Sequence, residues 1–494
     1  MLKHEEIELL TQKVLDLLAN EGMRFESAEL CALMIRKGCT ESPSGRIRIP
    51  RTLIDELVEH LKKTQDRDRE DQELHLQCGV DWTHSITWSD KREEVRKKLK
   101  AGLLMSAFDC GPTTFYDYAG QKILPVDDEI FALMMKFAQA TPEIGYTSTW
   151  YRQNVPPQIE RIESLAIGAR LTDKLDGIEC IFPEVIKYLA AASAILTDRP
   201  GDSSYLAGSE CLTPPMIMES RACEDMLERK RCGVHRYHVA SMPAIGVNTP
   251  VTIAGAIVMG AAEILAGEAA AWCIDPESDI SGRMIALVTD MRSATPTCTG
   301  PEVALTNLGV RELFEASFGG HLWVEVFLSP AAKRPGLQAV FENFLAVHNY
   351  SKWLGVTGIP YPGMGALHNG GLGSPTQFMI DMEIRRAQWH SQPFEVNAET
   401  INIEEVRERT EHGGDFLTSE HTLRHCRELW NSRLFLPSEA AQGSWDGTER
   451  CILDRCDQLW RANLEKYAPP KWPEEKLTAL DDLVRRARRE FGID

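Results

Sequence analysis

No membrane span is expected from this sequence. The most apolar stretch opens at Val251 and reaches a charge at Glu263, short of the ~20 residues that a spanning helix requires. A secretory signal is missing too. Met1–Asn20 is charged and amphipathic, with Leu9, Leu10, Val14, Leu17 and Leu18 at helical spacing. The 13 cysteines contain no CxxC pair, so they read as reduced thiols and set the expectation of a cytoplasmic protein. Neither HxC nor HExxH occurs, which removes the local zinc spacings and leaves only a site gathered from distant residues. A GxGxxG after a strand and a GxxxxGK[ST] are both absent, which counts against nucleotide-binding α/β folds. Positive charge is scarce as well. The net charge of −19 argues against a nucleic-acid partner and is compatible with cationic substrates, although most of it serves solubility. No Ser-His-Asp order and no Cys-His pair on an elbow motif presents itself.

What is present is a large core and a repeating order. The 494 residues are 43% hydrophobic, enough for a big α/β domain with extensions. Residues 242–267 read MPAIGVNTPVTIAGAIVMGAAEILAG. A strand-like run into Met242 and Pro243 is followed by a loop with Gly246, Asn248 and Thr249, then a helix of small apolar residues. Pro250 suits the first turn of that helix. This is half of a βαβ unit, in which the loop after the strand carries the chemistry.

The alternation extends along the chain. Candidate strands are Ile144–Trp150, Ser204–Ser209, Arg236–Ser241, Arg283–Thr289 and Leu322–Leu328. Helical stretches lie between them: Pro156–Leu171, Pro183–Leu196, Pro215–Lys230, Val251–Cys273, Pro301–Phe318 and Pro335–Leu354. Strands so separated pair in parallel through crossovers. The expected fold class is α/β, a (β/α)8 TIM-type barrel. Residues 1–100 form an N-terminal helical cap with a short strand, 101–420 the barrel, and 421–494 C-terminal helices packed on it.

Five stretches carry a family resemblance. Pro250, Val251, Thr252, Ala254, Gly255, Ala256, Ala262, Glu263, Leu265, Ala266 and Gly267 fall in a "PVTLAGALVxxxAEVLAG" pattern. Gly45–Pro50 (GRIRIP), Ala332–Glu342 (AKRPGLQAVFE), Ser374–Glu383 (SPTQFMIDME) and Gly413–Thr422 (GGDFLTSEHT) follow in order. Together they resemble the trimethylamine methyltransferase superfamily, and the resemblance implies the same barrel. It also implies an activity: demethylation of a methylated amine, with the methyl passed to cobalt on a separate corrinoid protein. The chain contains no pyrrolysine. It is therefore similar to the non-pyrrolysine branch, that of the glycine betaine:corrinoid methyltransferases. No tightly bound cofactor is implied, since the corrinoid (cobalamin) arrives on the partner, docking at the barrel mouth. A homo-oligomer is compatible with this reading. The alternatives are a zinc-dependent barrel methyltransferase for another methyl donor, and a non-catalytic betaine-binding protein.

Barrel enzymes work at the C-terminal ends of their strands. Those ends carry Trp150, Tyr151, Arg152 and Asn154, then Glu210 and Cys211, then Met242 and Asn248, then Asp290, Met291 and Arg292, and finally Glu325 and Phe327. Aromatics and carboxylates recur, the groups that hold a quaternary ammonium unable to donate a hydrogen bond. Trp150, Tyr151, Phe327 and one of Tyr116 or Tyr118 are the cage candidates. Glu210, Asp290 and Glu325 are the acidic candidates, each equally explained as a cap or ion-pair partner. Arg292, Asn154, Asn248 or His348 would hold a substrate carboxylate. For Asn248 a helix-capping role, and for His348 a structural one, stand beside that reading.

Overall fold

The computed structural model describes residues 1–65, 106–108, 111–175, 177–207, 210–212, 215–319, 322–323, 329–354, 363–390, 394–436 and 448–493. Within these, short strands pair in parallel in the order of the sequence. Ser106–Phe108 lies beside Ile144–Thr147, and Thr147 is bridged to Leu175. Ile178–Glu179 lies beside Leu206–Ala207. Glu210–Leu212 pairs with Arg236–Ser241, which pairs with Asp279–Met284, which pairs with Leu322–Trp323. Helices Asp128–Ala140, Pro157–Leu171, Ile186–Thr197, Ser220–Arg231, Ile253–Ile274 and Pro301–Leu313 connect them. The architecture is mixed α/β with the expected strand–helix alternation. Among the described residues the strands form several small sheets rather than one closed cylinder.

Several boundaries depart from the sequence reading, each for a local reason. The single strand expected at Arg283–Thr289 is two elements. Asp279–Met284 ends where the Ala286 N–H donates to Asn307 Oδ1 at 3.0 Å. Leu287–Asp290 then joins Ala244–Ile245 and Thr295–Thr297 in a separate three-stranded sheet. The helix expected from Val251 starts at Ile253, because Thr252 Oγ1 accepts the Gly255 N–H at 3.4 Å and caps it. Pro250 therefore precedes the helix instead of opening it. The helix expected from Pro215 starts at Ser220, since Ile217–Met218 pairs in parallel with Arg24–Phe25.

The Ile253–Ile274 helix is apolar on every side because every side is covered. It packs on the strands Arg236–Ser241 and Asp279–Met284 and on the N-terminal helices His4–Asn20, Ala28–Arg36 and Arg51–Gln65. It is the one helix among the described residues apolar enough to cross a membrane, and 83% of its apolar window is buried. Small residues bring it close to the sheet. A Cβ on Gly267 would lie 2.6 Å from Val239 Cγ1, and one on Gly282 would lie 2.7 Å from Ile264 Cγ2. Val239 and Gly282 thus face this helix. By the period-two alternation of strands, His238, Ala240, Ser281 and Arg283 face the other way. Glu263, on the same helix, accepts the Met216 N–H and the Ser241 hydroxyl, both at 2.6 Å.

Two C-terminal helices pack on earlier ones. Thr448–Leu464 packs on Pro375–His390 and Asp128–Ala140, with Trp460 edge-on to Phe137. Glu474–Glu490 packs on Pro157–Leu171 and Ile186–Thr197. Between these parts, the helices Ala398–Ile401, Ile403–His412 and Glu420–His425 bury no side chain.

Glu268 is fully buried on the central helix, and neither carboxyl oxygen has a hydrogen-bond partner. Burial pushes its carboxyl up from 4.5 to about 8. The fold therefore favours the neutral acid over the carboxylate. Stability is undiminished below the unfolded value and falls as pH rises through the window from 4.5 to about 8. The expected loss is on the order of a few kcal/mol. Thermal unfolding of Glu268→Gln at pH 5 and at pH 8.5 should show a smaller drop than the parent; equal drops would contradict this assignment. Gly267→Val should cost on the order of 1–3 kcal/mol or more by overpacking against Val239, read as a lowered urea midpoint.

Candidate active site

Strand parity decides which side chains share the sheet face turned away from the Ile253–Ile274 helix. In the ladder, Cys211 lies opposite Ala240 and Ala240 opposite Arg283, so these three form one row across three neighbouring strands. Arg283 is 7% exposed. One row deeper, His238 Nδ1 lies 2.8 Å from Ser281 Oγ. On the preceding strand, Glu179 follows the buried Ile178 and is itself exposed. The Tyr151 hydroxyl donates to Glu179 Oε2 at 3.3 Å. Burial, then Glu179, push the Tyr151 phenol up, so it stays neutral.

Burial pushes the Cys211 thiol up to about 11; Glu179 adds to the rise, while Arg283 and Arg221 oppose it. The acidic side chain and the guanidinium thus act on the same neutral thiol. Glu179, Cys211 and Arg221 also line a cavity of about 270 Å³ with Cys180, Glu210 and Asp225. One face of the Tyr151 ring is already taken, since the Arg161 guanidinium carbon stands 3.5 Å from the ring centroid.

The sequence candidates divide sharply. Tyr151 is at this site. Trp150 is not a cage wall: it is 1% exposed, lies 6.4 Å from Phe115, and would collide with any Cβ on Gly373. Arg152 is buried in ion pairs to Asp128 at 2.7 Å and Glu163 at 3.1 Å. Asn154 Nδ2 donates to Asp128 Oδ2 at 3.0 Å, beside the first turn of a helix. Tyr116 and Tyr118 line a different cavity, where the Tyr118 hydroxyl donates to Asp454 at 2.6 Å.

Glu210 faces the helix layer. It pairs with Arg229 at 2.8 Å and accepts the His238 N–H at 3.1 Å. Burial pushes its carboxyl up to about 7 against the pull of Arg229, so its first duty is to join strand to helix. Asn248 Oδ1 accepts the Ala244 N–H at 2.6 Å and closes its own loop. Asp290 and Arg292 bind each other at 3.1 Å on an exposed hairpin tip. His348 is exposed and stacks on Phe344, on the helix face opposite the buried Asn343, Val347 and Tyr350. Glu325 and Phe327 lie outside the described residues.

The sequence reading missed Glu179 and Arg283. The strand bearing Glu179 is two residues long and leaves no periodic signal. Arg283 was placed at the start of a strand, whereas it stands next to the end of one. The motif acids have positioning roles. Asp381 accepts the Gly365 N–H at 2.9 Å and the amides of Asn343 and Gln377, which pins the glycine-rich 363–373 loop to two helices. Burial pushes its carboxyl up to about 6. Among the described residues, no three His, Cys, Asp or Glu side chains converge as metal ligands.

Comparison with known proteins agrees with these motifs. The family model described as trimethylamine methyltransferase matches residues 198–492. Glycine betaine methyltransferase of Desulfitobacterium hafniense (strain Y51) is 25% identical over 266 residues, covering 51% of this chain and 52% of the relative. Trimethylamine methyltransferase MttB1 of Methanosarcina mazei is 28% identical over 222 residues, covering 45% of this chain and 43% of the relative. The chain thus spans about half the length of the curated relatives it matches. With more than half of its residues matched by the family model, the chain belongs to the trimethylamine methyltransferase family.

Proposed function

We propose that this protein is an enzyme that transfers a methyl group from a quaternary amine, glycine betaine or a related betaine, to Co(I) of a corrinoid protein. The observation that carries this reading is the Tyr151–Glu179 pair at the strand ends, in a family whose relatives include a glycine betaine methyltransferase. A quaternary nitrogen has no proton to give, so an aromatic face and a nearby negative charge are its natural partners.

The reaction needs little from the protein beyond placement. An electron pair of the reduced cobalt forms the new bond to the methyl carbon. The C–N bonding pair leaves on nitrogen as a neutral tertiary amine. No proton moves, so no general acid is required; the residues orient the N–CH3 bond and keep water out. The parallel strand order supports an eight-stranded (β/α) barrel, with residues 101–420 as the catalytic part and the flanking helices packed on it. The strand ends then form its mouth. Val247, Val251 and Met291 are each more than 60% exposed there, and a Cβ on Gly246 would lie within 4 Å of both Val251 and Met291. Such a joined apolar surface suits docking of the corrinoid protein. A reduced cobalt substrate also suits a reducing, cytoplasmic setting.

The test is methylation of free Co(I) cobalamin by the purified protein, followed in the cobalamin spectrum, across a panel of methylated amines and other methyl donors. Glycine betaine or another quaternary amine should be consumed. Turnover confined to a tertiary amine, an alcohol or a thioether would overturn the substrate class.

A further inference from the structure

We propose that residues 394–435 form an arm that joins two copies of this chain, each arm lying on the exposed face of the other copy's Leu337–Leu354 helix. The inference goes beyond the proposed activity and borrows from it only the argument against a transient partner.

Of residues 394–435 only Ser419 and Leu434 are buried. Phe394, Val396, Leu417, Leu423 and Leu429 are each more than 60% exposed, and Ile401, Ile403 and Val406 are exposed as well. The arm nevertheless has a defined shape. Asn397 Oδ1 accepts the Thr400 N–H at 2.9 Å, Ser419 Oγ accepts the Thr422 N–H at 3.1 Å, and Arg424 pairs with Glu399 at 2.8 Å. Glu383 moors the far end, accepting the Ser432 hydroxyl and the Arg433 N–H, both at 2.6 Å. Polar bonds in water return little of the entropy lost when a chain is ordered. The single chain therefore does not supply the burial that an ordered arm requires. Gly413–Thr422, one of the stretches that carry the family resemblance, lies wholly within the arm. Neither the hydrophobic core nor the Tyr151 site uses it.

The extent of this surface names its occupant. Given the usual size of such side chains, these exposures leave on the order of 1,000 Å² of apolar arm surface in water. A stable pair takes ~800 Å² from each partner, and large apolar interfaces belong to permanent assemblies. A methyl carrier must leave after each transfer, so it is the wrong occupant. The partner always present in equal amount is the chain itself, and in a two-fold pair each copy gives an arm and receives one. The receiving face has the spacing of a helix–helix seam. Leu337, Phe341, Phe344 and His348 are exposed and follow one another by four, three and four residues. The same helix turns Asn343, Val347 and Tyr350 inward. The arm offers a helix of its own, Ile403–His412, with Ile403 and Val406 exposed one turn apart.

Sedimentation of the purified full chain tests the assignment. The parent should be a dimer. Leu417→Glu combined with Leu423→Glu, and separately Phe341→Glu, should each raise the dissociation constant on the order of a hundred-fold or more. Far-ultraviolet circular dichroism should be unchanged, because all three side chains stand in solvent in the single chain. A parent that stays monomeric at every concentration would overturn the proposal, as would a dimer indifferent to all three substitutions. Should the glutamate variants fail to fold, hydrogen exchange of the parent takes their place. The amides of residues 394–435 should be protected when the protein is concentrated and lose that protection on dilution; equal exchange at both concentrations would overturn the pairing. Arm variants that remain dimeric but no longer bind a corrinoid protein would put that carrier on the arm instead of a second copy. None of these readouts needs turnover. A paired protein without methyl transfer would sink the proposed activity alone, and methyl transfer by a lasting monomer would sink this inference alone.

Discussion

The close seating of the Ile253–Ile274 helix on its two strands is the constraint from which the rest follows. Gly267 meets Val239 and Gly282 meets Ile264 at distances that admit no further carbon. Contact this close fixes the strand register against the helix, and a slip of one residue would exchange the two faces of each strand. With the register fixed, Arg283 and Ala240 are turned away from the helix.

The same packing sorts the buried acids by duty. Glu210, Glu263 and Asp381 each accept hydrogen bonds that tie one element to another: strand to helix, loop to strand end, and glycine-rich loop to helix pair. Such acids are spent on architecture. Glu179 differs, since it is exposed and accepts a hydrogen bond from a tyrosine at the strand ends.

The large, periodic elements were legible in the sequence. The strand Arg236–Ser241 was read with the bounds it has, and the helix after it was displaced by two residues at its start because Thr252, not Pro250, supplies the cap. The N- and C-terminal helices also stand out, because their apolar spacing survives in isolation. The site was much less legible. Trp150, Arg152 and Asn154 follow a strand just as Tyr151 does, yet packing against Gly373 and pairing with Asp128 remove them. Asp290 and Arg292 looked like strand-end groups only because two short strands read as one. Sequence order places a residue after a strand. It does not say whether the side chain there stays open to solvent or is used up in packing and ion pairs.

The guanidinium of Arg161 against Tyr151 has a kinetic meaning for whatever the tyrosine binds. A phenol ring clamped on one face from within cannot rotate, and its freedom is already lost when the chain folds. Ordering that ring adds nothing to the entropic cost of capture. Whatever meets this ring meets a surface that folding has already set.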